Sequence, residues 1–206
     1  MSTWKLNSWR SKPIKHQPVY ADKGKIDNVL KELSTFPPLV FAGESRSLKK
    51  LEYRGYDSAG LATLSKNIIN EKKCSGRVET LEKILFKTPS DGNIGIGHVR
   101  WATHGVPNSI NAHPHSTDQV SVVHNGIIEN SDEIKKELRS KGIKFKSQTD
   151  TEVVTLLITE ALKDNTPLAS VFKTIKKLKG SFALGIIFKN FSDIIIGARR
   201  VINIFL

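Results

Sequence analysis

Three short polar stretches carry residue types that a folded core does not require. The first is Tyr53-Arg54-Gly55-Tyr56-Asp57-Ser58-Ala59-Gly60, where a helix must end and a strand begin. The second, His98-Val99-Arg100-Trp101-Ala102-Thr103-His104-Gly105, closes an alternating strand. The third is His124-Asn125-Gly126, also at a strand end, with Thr149-Asp150-Thr151-Glu152 opening a helix shortly afterwards. Each has an ordinary structural reading: Asn-Gly as a hairpin turn, Thr-Asp-Thr-Glu as a helix start, Arg-Trp as a stacked surface pair. Together they offer more. Arg100 has a planar fork suited to a carboxylate, Asp150 an anion for an ammonium, and Asn125 with the Gly126 N–H can polarise a carbonyl oxygen. That set would hold a free α-amino acid by both ends and stabilise an oxyanion at its side-chain carbonyl, which points to amino-acid capture followed by acyl transfer.

The elements that must position these residues follow from hydrophobic periodicity. Strands are predicted at 59–64, 67–70, 94–100, 120–124, 182–188 and 193–197, and helices at 48–53, 78–86, 131–141, 151–162 and 168–178. Asn130, three residues before Glu133, reads as an N-terminal cap. Strands outnumber what an alternating βαβ scheme needs, so a layered α+β domain is predicted. Upstream lie a polar, Pro-containing arm over 1–23, a short helix with Ile26, Val29, Leu30 and Leu33 on one face, the breaker Phe36-Pro37-Pro38, and an apolar strand over 39–43.

Composition narrows the function classes. The chain has 206 residues, 38% of them hydrophobic, and one cysteine, Cys74, so a disulfide framework and a Cys-rich zinc site are excluded and a reducing, cytoplasmic setting is expected. No apolar run reads as a membrane span and the first ten residues lack the core of a signal peptide. The net charge of +12 raises a nucleic-acid reading. Yet half of that excess sits in the first fifty residues, and later lysines alternate with apolar residues as on solvated helix faces. No nucleic-acid partner, membrane, metal or cofactor is expected.

Longer motifs then identify a likeness. Leu51-Glu52-Tyr53-Arg54-Gly55-Tyr56-Asp57-Ser58-Ala59-Gly60, Arg100-Trp101-Ala102-Thr103-His104-Gly105, Asn111-Ala112-His113-Pro114-His115, Val123-His124-Asn125-Gly126-Ile127-Ile128-Glu129-Asn130 and Thr149-Asp150-Thr151-Glu152-Val153 resemble the glutaminase domain of the glucosamine-6-phosphate synthases. The resemblance runs from about Ser47 to Arg200. It implies the N-terminal-nucleophile fold, a four-layer αββα sandwich, and L-glutamine as ligand. Arg100 would take the glutamine α-carboxylate, Asp150 the α-ammonium, Asn125 and Gly126 the oxyanion, and Trp101, Thr103 and His104 would line the pocket. Fructose 6-phosphate would be reached only through sugar-isomerising domains that this sequence lacks.

Two departures accompany the likeness. In that family a first-position cysteine attacks the glutamine carboxamide while its own α-amine moves the proton. Here Met1-Ser2-Thr3 opens the chain, and a long segment precedes Leu51 in place of the short strand that would carry Cys-Gly-Ile. Cys74 follows the Tyr-Arg-Gly-Tyr-Asp motif, has no free amine and sits in what reads as a Lys-rich turn, so a non-catalytic thiol is expected. The upstream segment resembles the N-terminus of class II 3-deoxy-7-phosphoheptulonate synthases over about 3–49, without that family's barrel or metal ligands. The expected organisation is a foreign segment over 1–46 replacing the first strand, a truncated glutaminase domain over 47–200 and an unmatched tail over 201–206. The functional expectation is a glutaminase half without its nucleophile. The alternatives are a non-catalytic glutamine-binding remnant and a shikimate-pathway fragment. Loss of the first strand is expected to leave sheet edges that favour self-association.

Overall fold

The computed structural model describes residues 4–10, 40–41, 48–49, 51–92, 94–101 and 105–200, with backbone alone described at 4–10 and 40–41. The described strands are β1 (Trp4–Arg10), β2 (Val40–Phe41), β3 (Ser58–Ser65), β4 (Ile68–Ser75), β5 (Ile94–Arg100), β6 (His115–Ser116), β7 (Val120–Gly126), β8 (Phe182–Phe188) and β9 (Ile194–Arg200). The helices are α1 (Val78–Lys87), α2 (Ser131–Ser140), α3 (Thr151–Ala161) and α4 (Pro167–Lys177), and Glu52–Arg54 forms a 3-10 turn. The predicted 26–33 helix lies outside the described residues.

Two antiparallel sheets form, one in the order β1-β9-β8-β7-β6 and the other β2-β5-β3-β4. Strand alternation sends successive side chains to opposite faces, and the buried clusters show where each face goes. In the four-stranded sheet Ala62, Leu64, Ile94 and Ile96 meet Val123 and Ile187 of the other sheet. On the reverse face Ala59, Cys74 and Val99 pack against Val78 and Leu81 of α1, with Leu48 alongside. In the five-stranded sheet Val120, Val122, Leu184, Ile186, Phe188 and Ile196 pack against Ile134 and Leu138 of α2, Val153, Leu157 and Ile158 of α3, and Val171 and Ile175 of α4. The layers therefore run α1, sheet, sheet, then α2 to α4, the predicted four-layer α+β sandwich.

Several details differ from the periodicity reading. The stretch after Asn67 is an eight-residue strand, because Lys66 and Asn67 at φ 49° and 62° form a tight hairpin that carries Glu71, Lys72 and Lys73 into pairing with β3. Cys74 is thus in a strand and buried, not in a turn. Asn130 precedes α2 but makes no side-chain cap; its amide donates to Lys177 O at 2.9 Å and accepts from Lys179 N–H at 2.8 Å, joining the start of α2 to the end of α4. The residues read as a polar arm include β1, which pairs with β9 over Trp4–Arg10. An unpaired edge of β9 would leave a row of backbone donors and acceptors open, and strand addition satisfies them. Strand β2 pairs with β5 at Val40↔Gly97 and Phe41↔Ile96, so the apolar run predicted at 39–43 does supply a strand to the four-stranded sheet.

Candidate functional site

The site assembles where β5, β7 and the start of α3 meet. Alternation from Ile94 and Ile96 turns His98 and Arg100 toward the other sheet, and alternation from Val123 turns Asn125 toward the same inter-sheet space. Asp150 immediately precedes α3, with Thr151 as its first residue. The three segments are brought together by a buried polar layer: the ring centroids of His98 and His113 lie 4.3 Å apart, His113 and His115 5.1 Å, and His113 and His124 6.4 Å.

That layer is hydrogen-bonded through hydroxyls. Thr151 Oγ1 lies 2.7 Å from His113 Nε2 and 2.8 Å from His124 Nδ1. Thr149 Oγ1 lies 2.9 Å from His115 Nε2 and 3.0 Å from Ser147 Oγ. Glu152 completes the support by accepting from Lys146 N–H at 2.8 Å, Ser147 N–H at 2.6 Å and the Ser147 hydroxyl at 2.7 Å. Burial makes the charged imidazole costly. Burial, with His124 and Arg100 nearby, takes His98 down to about 3. Burial and the neighbouring imidazoles hold His113 well below its ordinary value, and burial with Lys73 and Arg100 does the same for His115.

Arg100 is buried, and burial lowers its basicity while Asp57 and then Asp150 favour its cation. The Asp57 N–H also donates to Arg100 O at 3.1 Å, so the Tyr-Arg-Gly-Tyr-Asp stretch is tied to the end of β5. Asp150 is buried as well. Its Oδ2 accepts Ile128 N–H at 2.9 Å and its Oδ1 lies 3.8 Å from His124 Nδ1. Gly126 has φ 122°, and a Cβ there would run into Ser181 O and Phe182 Cα, so only glycine presents this N–H at the strand end. Trp101 is exposed, its ring centroid 5.8 Å from that of Tyr56.

Of the sequence-predicted site residues, Arg100, Asn125, Gly126 and Asp150 lie on the three converging segments, and Trp101 sits at the outer end of β5. Thr103 and His104 lie outside the described residues. Cys74 is on the reverse face of the four-stranded sheet, packed with Ala59, Val78, Leu81 and Val99. Burial raises its thiol above the ordinary value. The periodicity reading did not single out the imidazole layer or Thr151. Its trace in the sequence is the crowding of His98, His113, His115 and His124 within 27 positions, four of the six histidines.

Chemically, a buried cation and a buried carboxylate act on each other at one end of the sandwich, and Asn125 and Gly126 end strand β7. Residues 98–201 match the family model described as a glutamine amidotransferase domain, and residues 4–55 match that of the class-II DAHP synthetase family. Glutamine–fructose-6-phosphate aminotransferase (isomerizing) of Mesorhizobium japonicum is 53% identical over 155 residues, 75% of this chain and 26% of that protein. The protein of the same name from Clostridium acetobutylicum is 52% identical over 155 residues, 74% of this chain and 25% of that one. The chain thus spans about a quarter of the length of the curated relatives it matches. The solved glutamine phosphoribosylpyrophosphate amidotransferase of B. subtilis, complexed with ADP and GMP, shares the fold at a TM-score of 0.64 and 22% identity, over 78% of this chain and 41% of that one. With 98–201 matched by that family model and 155 residues about half identical to curated glutamine–fructose-6-phosphate aminotransferases, the chain belongs to the glutamine amidotransferase domain family.

Proposed function

We propose that this chain is a glutaminase-type domain of the glutamine–fructose-6-phosphate aminotransferase kind that binds L-glutamine and does not hydrolyse it. Arg100 takes the α-carboxylate and Asp150 the α-ammonium. Asn125 and the Gly126 N–H face the side-chain carbonyl oxygen, and Trp101 borders the pocket. The reading is supported chiefly by one observation: Arg100 and Asp150, buried and of opposite charge, act on each other electrostatically across the end of the sandwich.

In glutamine hydrolysis a thiolate attacks the carboxamide carbon, the carbonyl pair moves to oxygen, and the tetrahedral oxyanion collapses as the leaving nitrogen takes up the proton released by the thiol and departs as ammonia; water then cleaves the thioester to glutamate and the free thiol. Asn125 and Gly126 supply donors for that oxyanion. The sequence supplies one thiol, and Cys74 is separated from Arg100 by the thickness of a sheet. Strand β2 runs antiparallel to β5 with Val40 opposite Gly97, so a strand in that slot enters from the end of β5 that carries His98 and Arg100. A nucleophile-bearing strand would need that same slot. We accordingly place a foreign segment at 1–46, the glutaminase domain at 47–200 and an unmatched tail at 201–206.

The test is titration with L-glutamine while following the Trp101 indole N–H resonance, one of three in the chain. Two charged hydrogen bonds of about 1.5–3 kcal/mol each, less the entropy of association, give a Kd on the order of 1 mM. The shift should saturate and disappear in Arg100→Ala and Asp150→Ala. No ammonia should be released. A folded sample with no saturable shift up to high millimolar glutamine, or with steady release of glutamate abolished by Asn125→Ala, overturns the reading.

A further inference from the structure

We infer that Thr151 is a positioning residue whose single hydroxyl locks His113 and His124 into defined tautomers and so holds the carboxylate of Asp150 in register with the Asn125–Gly126 strand end. The inference deepens the glutamine-binding reading and rests on it for its functional half.

A threonine hydroxyl carries one proton and two lone pairs. Thr151 Oγ1 faces two imidazole nitrogens, His113 Nε2 at 2.7 Å and His124 Nδ1 at 2.8 Å, and is itself fully buried. Both nitrogens cannot be acceptors, because one proton cannot serve two bonds. Both contacts are hydrogen bonds, and the hydroxyl proton is used, when one ring donates to Thr151 Oγ1 and the other accepts from it. Because the facing atoms are Nε2 of His113 and Nδ1 of His124, opposite roles at the hydroxyl mean the same tautomer at both rings, Nε2–H at both or Nδ1–H at both.

Chain connectivity turns this lock into a functional device. Thr151 follows Asp150 directly, and His124 directly precedes Asn125. The hydroxyl bridge thus joins the residue after the proposed ammonium ligand to the residue before the proposed oxyanion donors. Asp150 Oδ2 makes a second tie to Ile128 N–H. Without the hydroxyl, two imidazole nitrogens would face a hydrocarbon group, each ring would be free to exchange tautomer, and the start of α3 would lose its bond to β7. A site that holds one small ligand by groups on both segments is sensitive to displacements of about 1 Å.

Histidine imidazole spectra of protein labelled with 15N, read at neutral pH together with glutamine titration, test the inference. In the unsubstituted chain His113 and His124 should each give one tautomer, the same at both rings. Thr151→Val, nearly the same shape, should show tautomer averaging at both rings and glutamine affinity weakened by about tenfold or more, the effect of losing one buried hydrogen bond. Thr151→Ser should restore the spectra and bring affinity back to within about threefold. Tautomer averaging at either ring, or different tautomers at the two rings, in the unsubstituted chain overturns the proposal, and that reading stands even if the valine variant does not fold. Unsubstituted spectra and affinity in Thr151→Val, altered spectra with unchanged affinity, or failure of Thr151→Ser to rescue also overturn it. Should the unsubstituted chain not bind glutamine, the functional reading falls, while the imidazole spectra still decide the lock.

Discussion

Asp150 Oδ2 accepts the backbone N–H of Ile128 at 2.9 Å, so the carboxylate that precedes α3 also fixes the chain two residues beyond Gly126. One buried side chain thereby ties a proposed ligand contact to the backbone that follows the proposed oxyanion donors. Asp150→Ala removes the charged acceptor and leaves a buried N–H unpaired, which should cost about 2–3 kcal/mol of stability. Asp150→Asn keeps an acceptor oxygen and should cost less, while losing glutamine binding as fully as alanine. Urea unfolding and glutamine titration of the two variants check this; equal stability loss in both would show that the Ile128 bond contributes little.

The buried imidazoles make the domain sensitive to acid. His98 protonates near 3 in the folded chain against an ordinary 6.5, and His113 and His115 are also shifted down. Below pH 6.5 the unfolded chain takes up protons that the folded chain refuses, so stability is complete above 6.5 and falls as pH drops toward 3. His98 contributes about 1.4 kcal/mol per pH unit in that window, and His113 and His115 act in the same direction. Against an ordinary domain stability, the domain should unfold on the acid side of pH 6.5 before pH 3 is reached. Far-UV circular dichroism against pH measures it, and a native spectrum at pH 3 would contradict the expectation.

Cys74 is held in the α1-facing core with its thiol shifted up by burial. The thiolate is the reactive form, so thiol reagents should leave the folded chain unlabelled at neutral pH and label it fully in denaturant. Cys74→Ala should leave glutamine affinity unchanged, since the residue lies behind the sheet. Rapid labelling of the native chain would place the thiol elsewhere.

At Gly126 the backbone adopts φ 122°, with Ser181 O where a Cβ would stand. Gly126→Ala should destabilise the domain by about 2 kcal/mol or more, combining backbone strain with a steric clash. Thermal unfolding of the variant checks this, and an unchanged melting temperature would mean that the strand end relaxes freely.

Glu152 receives three donors from Lys146 and Ser147. Glu152→Ala removes their shared acceptor in a partly exposed loop that also positions Thr149, and should cost about 2 kcal/mol. Glu152→Gln, which keeps one oxygen acceptor, should fall between. Amide exchange at Lys146 and Ser147 reads it directly: protection that persists in Glu152→Ala would contradict the role.

Much of the architecture was legible in the order of residues. Ile94–Arg100 and Phe182–Phe188 were predicted at their observed bounds because a strand buried in a sandwich is apolar throughout or alternates strictly, and both patterns are local. The candidate ligands Arg100, Asn125, Gly126 and Asp150 were legible for a related reason: each stands at an element boundary, with a residue type that the core does not require. Tertiary structure alone decided what depends on partners far along the chain. Nothing near Asn130 announces that its amide bonds Lys177 and Lys179 instead of capping α2. The strand character of Trp4–Arg10 comes from the edge of β9, almost the whole chain away. That Cys74 and Arg100 lie on opposite faces of one sheet follows from strand register, since a shift of one residue would exchange the faces. The lowered basicity of His98, His113 and His115 arises only when the assembled elements exclude water together, because desolvation is a property of the assembled interior and no short stretch of sequence contains it.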